Sequence, residues 1–177
     1  SLGAADPPAD ERLRLHVETL LQPGGATAAG ESLAAPFLLA ELYSRRGFQP
    51  LWLRPAMVDE LLAAVGGAEL HGLQASDYHT AAIAALLAGG VRPGDGTPAG
   101  EDLDLLLTDA FARLAFTLHF GKLLPTDFHP QWNFERRFGV ADPVAWVARH
   151  LEDGTVAAGF HAAAPQTAFY HRLQELL

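Results

Sequence analysis

Glu101-Asp102-Leu103-Asp104-Leu105-Leu106-Leu107-Thr108-Asp109-Ala110-Phe111-Ala112-Arg113-Leu114-Ala115-Phe116-Thr117-Leu118-His119-Phe120 decides the reading of this chain. Leu103, Leu106, Leu107, Ala110, Phe111, Leu114 and Leu118 recur at i, i+3, i+4 and i+7, the spacing of one helical face. At about 100° per residue, Leu105, Phe116 and Phe120 fall near the opposite side. A helix apolar on two faces has no side to turn to water, so the 102–120 segment is expected at the centre of the fold. Asp109 lies among the second apolar set, and Arg113 stands four residues on, where the two can pair along the helix. A buried carboxylate must be paired or hydrogen-bonded, so Arg113 or the N-terminus of a neighbouring helix has to serve Asp109. Structural roles are expected of both residues.

Working outward, proline and glycine mark the other helices. Ser1 to Ala9 is small and Pro-rich and reads as a flexible N-terminal segment, leaving 10–177 as one domain. Asp10 reads as the cap of a helix carrying Leu13, Leu15, Val17, Leu20 and Leu21, ended by Pro23-Gly24-Gly25. Pro36 suits a first helical turn, and Gly47 is a natural residue just past the end, after Arg45 and Arg46. Phe48-Gln49-Pro50-Leu51-Trp52 reads as extended, because residues before proline avoid the helical region. Pro55 opens a further helix that Gly66-Gly67 weakens and His71-Gly72 closes. Asp77 or Thr80 starts the next. Residues 88–100 hold five Gly and two Pro and read as a flexible connector. Asp142-Pro143 is a cap followed by a first-turn proline. A short weak helix is expected over 155–163, and Pro165 opens the last, whose apolar stripe is still running at Leu177. There is no sustained period-2 alternation. The expected fold is all-α: a single compact helical domain of about seven or eight helices around the buried central one.

The 177 residues allow a real core, since the scaling of surface with mass has such a chain bury about 70% of its unfolded surface. The charge balance of 12 cations against 21 anions, net −9, disfavours nucleic acid and anionic lipid as partners. The absence of cysteine removes disulfides, thiolate metal sites and a cysteine nucleophile together. No stretch approaches the apolar length of a membrane span.

His71, Asp77 and His79 lie within nine residues but straddle a helix end and a turn, not the i, i+4 face of a zinc-binding pair. No metal site and no cofactor is expected. His119, Asp127 and His129 flank Gly121-Lys122-Leu123-Leu124-Pro125 without any nucleophile motif and read as loop anchors. The best binding candidates are Trp132, Phe134, Arg136 and Arg137: aromatic rings stack on sugars, and arginine grips carboxylates bidentately. Trp52 joins them as a candidate, against the plainer role of a wedge between helices. Gly47 and Gly72 are expected to be structural.

Four segments, in order, resemble one family. They are Tyr43-Ser44-Arg45-Arg46-Gly47-Phe48-Gln49-Pro50-Leu51-Trp52, Glu69-Leu70-His71-Gly72-Leu73-Gln74-Ala75-Ser76-Asp77-Tyr78-His79, Leu103-Asp104-Leu105-Leu106-Leu107-Thr108-Asp109-Ala110-Phe111, and Gly121-Lys122-Leu123-Leu124-Pro125 running into His129-Pro130-Gln131-Trp132. Together they resemble the N-terminal scaffold domain of YcbB-like murein L,D-transpeptidases, over roughly 32–177. The resemblance implies an exported, periplasmic parent that cross-links peptidoglycan through a cysteine acyl-enzyme. Its catalytic domain, with a Ser-His-Gly-Cys type motif, would follow the scaffold. No such motif occurs here, so no catalytic residue is carried over, and the chain is expected to be non-catalytic. The implied partner is the catalytic domain of the same parent chain, with peptidoglycan as a further candidate. The start at Ser1 and the unfinished last stripe suit an excised piece of such a protein. The loops at 48–54 and 121–138 are where an interface with exposed aromatics is expected. The alternative is a stand-alone peptidoglycan-binding or protein-interaction module gripping ligand through the 128–138 loop; a metal hydrolase using the histidines ranks below both.

Overall fold

The computed structural model describes residues 7–68, 73–120, 142–153, 156, 157 and 160. Among them the chain forms α1 (Ala9–Thr19), a hairpin of β1 (Thr27–Ala28) and β2 (Glu31–Ser32), α2 (Pro36–Arg45), α3 (Pro55–Gly66), a 3-10 turn (Ala75–Tyr78), α4 (Thr80–Ala88), α5 (Pro98–Phe120) and α6 (Pro143–Glu152). The predominantly helical character is as the periodicity implied. Val156, Ala157 and Phe160 are helical too, within the span expected to hold a short weak helix. The last expected helix, from Pro165, lies outside the described residues.

Proline sets the first turns. α2 and α3 begin at Pro36 and Pro55, where the missing N–H costs nothing. α6 begins at Pro143 behind Asp142, whose carboxylate accepts the Ala145 N–H at 2.9 Å as an N-cap should. α1 differs from expectation at its start: it opens at Ala9 with Pro8, not Asp10, in the capping position. Leu13, Val17 and Leu20 share its buried face, whereas Leu15 and Leu21 stay exposed, because both lie off that face at 3.6 residues per turn.

The hairpin was not expected. Thr27 pairs with Ser32 and Ala28 with Glu31, around Ala29 and Gly30 at φ 47° and 80°. Positive φ at both central residues is the twist that a two-residue hairpin needs. Strands two residues long carry no readable alternation.

The connector before α5 is more ordered than its glycines suggest. Asp95 accepts the N–H groups of Arg92 (3.0 Å) and Thr97 (2.8 Å) and the Thr97 hydroxyl (2.6 Å). Thr97 in turn accepts the Gly100 N–H at 3.0 Å and caps α5. The helix therefore starts at Pro98, four residues before the expected 102. A Cβ on Gly100 would stand 2.2 Å from Asp95 Oδ1, so only glycine fits there. Burial alone would raise the Asp95 carboxyl, yet the Thr97 hydroxyl and the two amides together hold it below its ordinary value.

α5 is the centre. Every residue from Leu103 to Ala112 is buried, Asp104, Thr108 and Asp109 included. α1, the hairpin, α2, α3, the 3-10 turn and α4 all pack against it, and α6 packs on α2. Phe111 meets Trp52 edge-on at 6.2 Å and Phe160 at 5.2 Å, while Phe116 meets Trp146 at 5.4 Å. No described helix is long and apolar enough to cross a membrane.

Candidate functional site

Two polar knots sit on α5, each formed where a buried carboxylate meets backbone from a loop. The first is Asp104. Its carboxylate accepts the Tyr43 hydroxyl at 2.5 Å, the Leu51 N–H at 3.0 and 3.1 Å, and the Trp52 N–H at 3.1 Å. Pro50 can donate nothing, and the amides of the two residues that follow it both meet the one acceptor. One turn along, Thr108 Oγ1 accepts the Trp52 ring N–H at 2.9 Å and lies 2.8 Å from the Tyr43 oxygen. Burial pushes the Asp104 carboxyl above the usual carboxylate range, opposed by these donors and by the charge of Arg46. Burial, and then the neighbouring Asp104 charge, push the Tyr43 phenol well above its ordinary value. Arg46, whose Nη1 pairs with Glu152, has a buried Nε–H with no hydrogen-bond partner among the described residues.

The second knot is Asp109. It accepts the Ala34 N–H at 3.1 Å and the Ala35 N–H at 2.8 Å, so the start of α2 is anchored on α5. His79 Nε2 lies 2.8 Å from Asp109 Oδ2. Of the two partners expected for Asp109, the neighbouring helix N-terminus is the one the fold supplies. Arg113 turns elsewhere: its Nη1 donates to the Asp77 carbonyl at 2.6 Å, and its guanidinium lies 5.6 Å from the Tyr78 ring centroid. The pairing of Asp109 with Arg113 is thereby corrected. Both side chains are spoken for by groups distant in sequence, which no intrahelical spacing reveals.

Trp52 is a core residue, 1% exposed, its ring edge-to-face with Phe111 and its N–H on Thr108. Phe48 packs partly buried against the core. The 48–54 loop thus exposes no tryptophan; its outward apolar residue is Leu53, 62% exposed. Gly47, at φ 63° just past the end of α2, takes the left-handed turn expected of it. Trp132, Phe134, Arg136, Arg137, Gly72, His71, Asp127, His129 and the His119 side chain lie outside the described residues. Asp104 was missed as a site residue. Its signal was an aspartate and a threonine four apart in a run otherwise apolar.

A cleft of about 510 Å³ opens beside the first knot. Leu13, Pro50, Leu53, Glu101 and Asp104 are among the residues that line it. Arg12 pairs with Glu101 at 3.1 Å, and burial raises the Glu101 carboxyl against the pull of that cation. No set of three metal-ligating side chains converges among the described residues.

A family model described as Scaffold domain matches residues 38–177. The match begins inside α2 and covers the whole first knot and the Asp109 and His79 side of the second, whose Ala34 and Ala35 lie before it. No curated protein and no solved structure matches the chain.

Proposed function

The chain belongs to the Scaffold domain family, and from that premise we propose that it is the non-catalytic helical scaffold of an exported, periplasmic L,D-transpeptidase-like protein involved in peptidoglycan cross-linking. Its partner in this reading is the catalytic domain of the same parent chain. The observation that carries the reading is the family match, which spans every segment of the resemblance to the murein L,D-transpeptidase scaffold. The chemistry of the described core supports it. The carboxylates of Asp104 and Asp109 are each occupied by several donors, the state of groups that hold a shape. The Asp104 knot fixes the loop that carries exposed Leu53, so this loop is presented rigidly at low entropic cost to an interface.

The test is to read the coding sequence past codon 177. An open frame running into a domain with a Ser-His-Gly-Cys type motif is the expected result. A stop codon there overturns the reading.

A further inference from the structure

His79 occupies an unusual place. It sits at φ 57° between the 3-10 turn and α4, a left-handed conformation that side chains rarely adopt. Its ring is 5% exposed and stands between two carboxylates from different elements. On one side is Asp109 of α5, fully buried, 2.8 Å from Nε2. On the other is Glu31 of β2, with about half its side chain exposed, 3.7 Å from Nδ1.

The bonding on the Asp109 side decides which nitrogen titrates. Asp109 already takes two backbone N–H groups, and a carboxylate only accepts, so Nε2 carries a hydrogen in both charge states. Nδ1 is then the atom that gains and loses the proton. When Nδ1 is bare, its lone pair faces the Glu31 carboxylate and nothing joins them. When it is protonated, the ring bonds Asp109 and its charge pairs with Glu31 3.7 Å away, tying β2 to α5. Among the described residues, Asp109 and Glu31 are the ionisable side chains within ion-pair reach of the ring. Asp77, in the turn before it, has its carbonyl held by Arg113, whose charge lies over Tyr78.

We propose that His79 is a proton-operated latch for the Thr27–Ser32 hairpin, closed by an Nδ1–H···Glu31 contact at acid pH and released at alkaline pH. The inference is independent of the functional reading above. The hairpin that His79 fastens has two residues per strand; Ala28 is buried in the core, and the Thr27 carbonyl lies 3.1 Å from Nε2 of a second histidine, His16, which Glu31→Gln leaves in place.

The test is amide hydrogen exchange of the hairpin, followed through Thr27 and Leu33, in the wild-type chain and in Glu31→Gln. Glu31 is half exposed, so the variant is expected to fold. Corrected for intrinsic exchange chemistry, wild-type protection is expected to rise about threefold from pH 8 to pH 5, the size of a partly exposed ion pair. Glu31→Gln is expected to show no such rise. The pH midpoint of the His79 ring signals by NMR is expected to fall in the variant. An equal rise in both proteins, no rise in the wild type, or an unmoved ring midpoint would each overturn the latch.

Discussion

Asp104 holds the Leu51 and Trp52 amides, donors that would otherwise be buried without an acceptor, and the Tyr43 hydroxyl, which also has Thr108 Oγ1 at 2.8 Å. Each orphaned donor costs about 1–3 kcal/mol. Asp104→Ala is therefore expected to lower the free energy of unfolding by at least about 2 kcal/mol in urea titration, and Tyr43→Phe by only about 1 kcal/mol. Equal losses would show that the carboxylate gathers no more than the phenol. The raised Asp104 carboxyl also sets a sign. The folded chain binds this proton more readily than the unfolded chain, so the contribution of Asp104 to stability is greatest below the ordinary carboxylate range. It declines as pH rises from there through the raised value, then stays flat. Asp104→Asn is expected to remove that slope from a stability–pH curve measured at acid pH. Tyr43 acts in the same direction at the alkaline end. Its phenol ionises far less readily folded than unfolded, so stability falls as pH climbs past about 10, and Tyr43→Phe is expected to blunt the fall.

At the scale of elements, the starts of helices were readable and their anchors were not. Pro36, Pro55 and Asp142-Pro143 mark three starts where the structure has them, because N1 proline and an N-cap carboxylate are local devices. The start of α5 was placed too late, since Gly and Pro in 88–100 look like a solvated connector until Asp95 and Thr97 are seen to close on each other. Thr97→Ala is expected to cost about 1 kcal/mol through the lost cap. Gly100→Ala is expected to cost more than that, because its Cβ meets the Asp95 carboxylate in a turn that has no room to yield. Thermal unfolding of the two variants checks the order. Asp142→Ala, which loses both the Ala145 bond and the pair with Arg45, is expected near about 1 kcal/mol, almost all of it from the cap, because the Arg45 pair is exposed.

Across the whole molecule, Phe111 joins the extended 51–52 segment to the helical turn at Phe160 through the middle of α5. Phe111→Ala is expected to cost about 3–5 kcal/mol with an unchanged denaturant slope; a shallower slope would mean that the two sides unfold separately. By itself the sequence determined that α5 is central, that the fold is helical and that Gly47 ends α2, because periodicity, capping and a left-handed turn are properties of neighbouring residues. It also carried the family resemblance, since four short segments keep their order along the chain. Only the tertiary structure decided what the buried polar groups do. Arg113 is the ionisable residue nearest to Asp109 along the helix, yet Asp109 binds Ala34, Ala35 and His79. Asp104 meets residues more than fifty positions away. Burial makes an acceptor obligatory, but which loop brings its amides to that acceptor depends on how all the helices pack, and no local pattern records it.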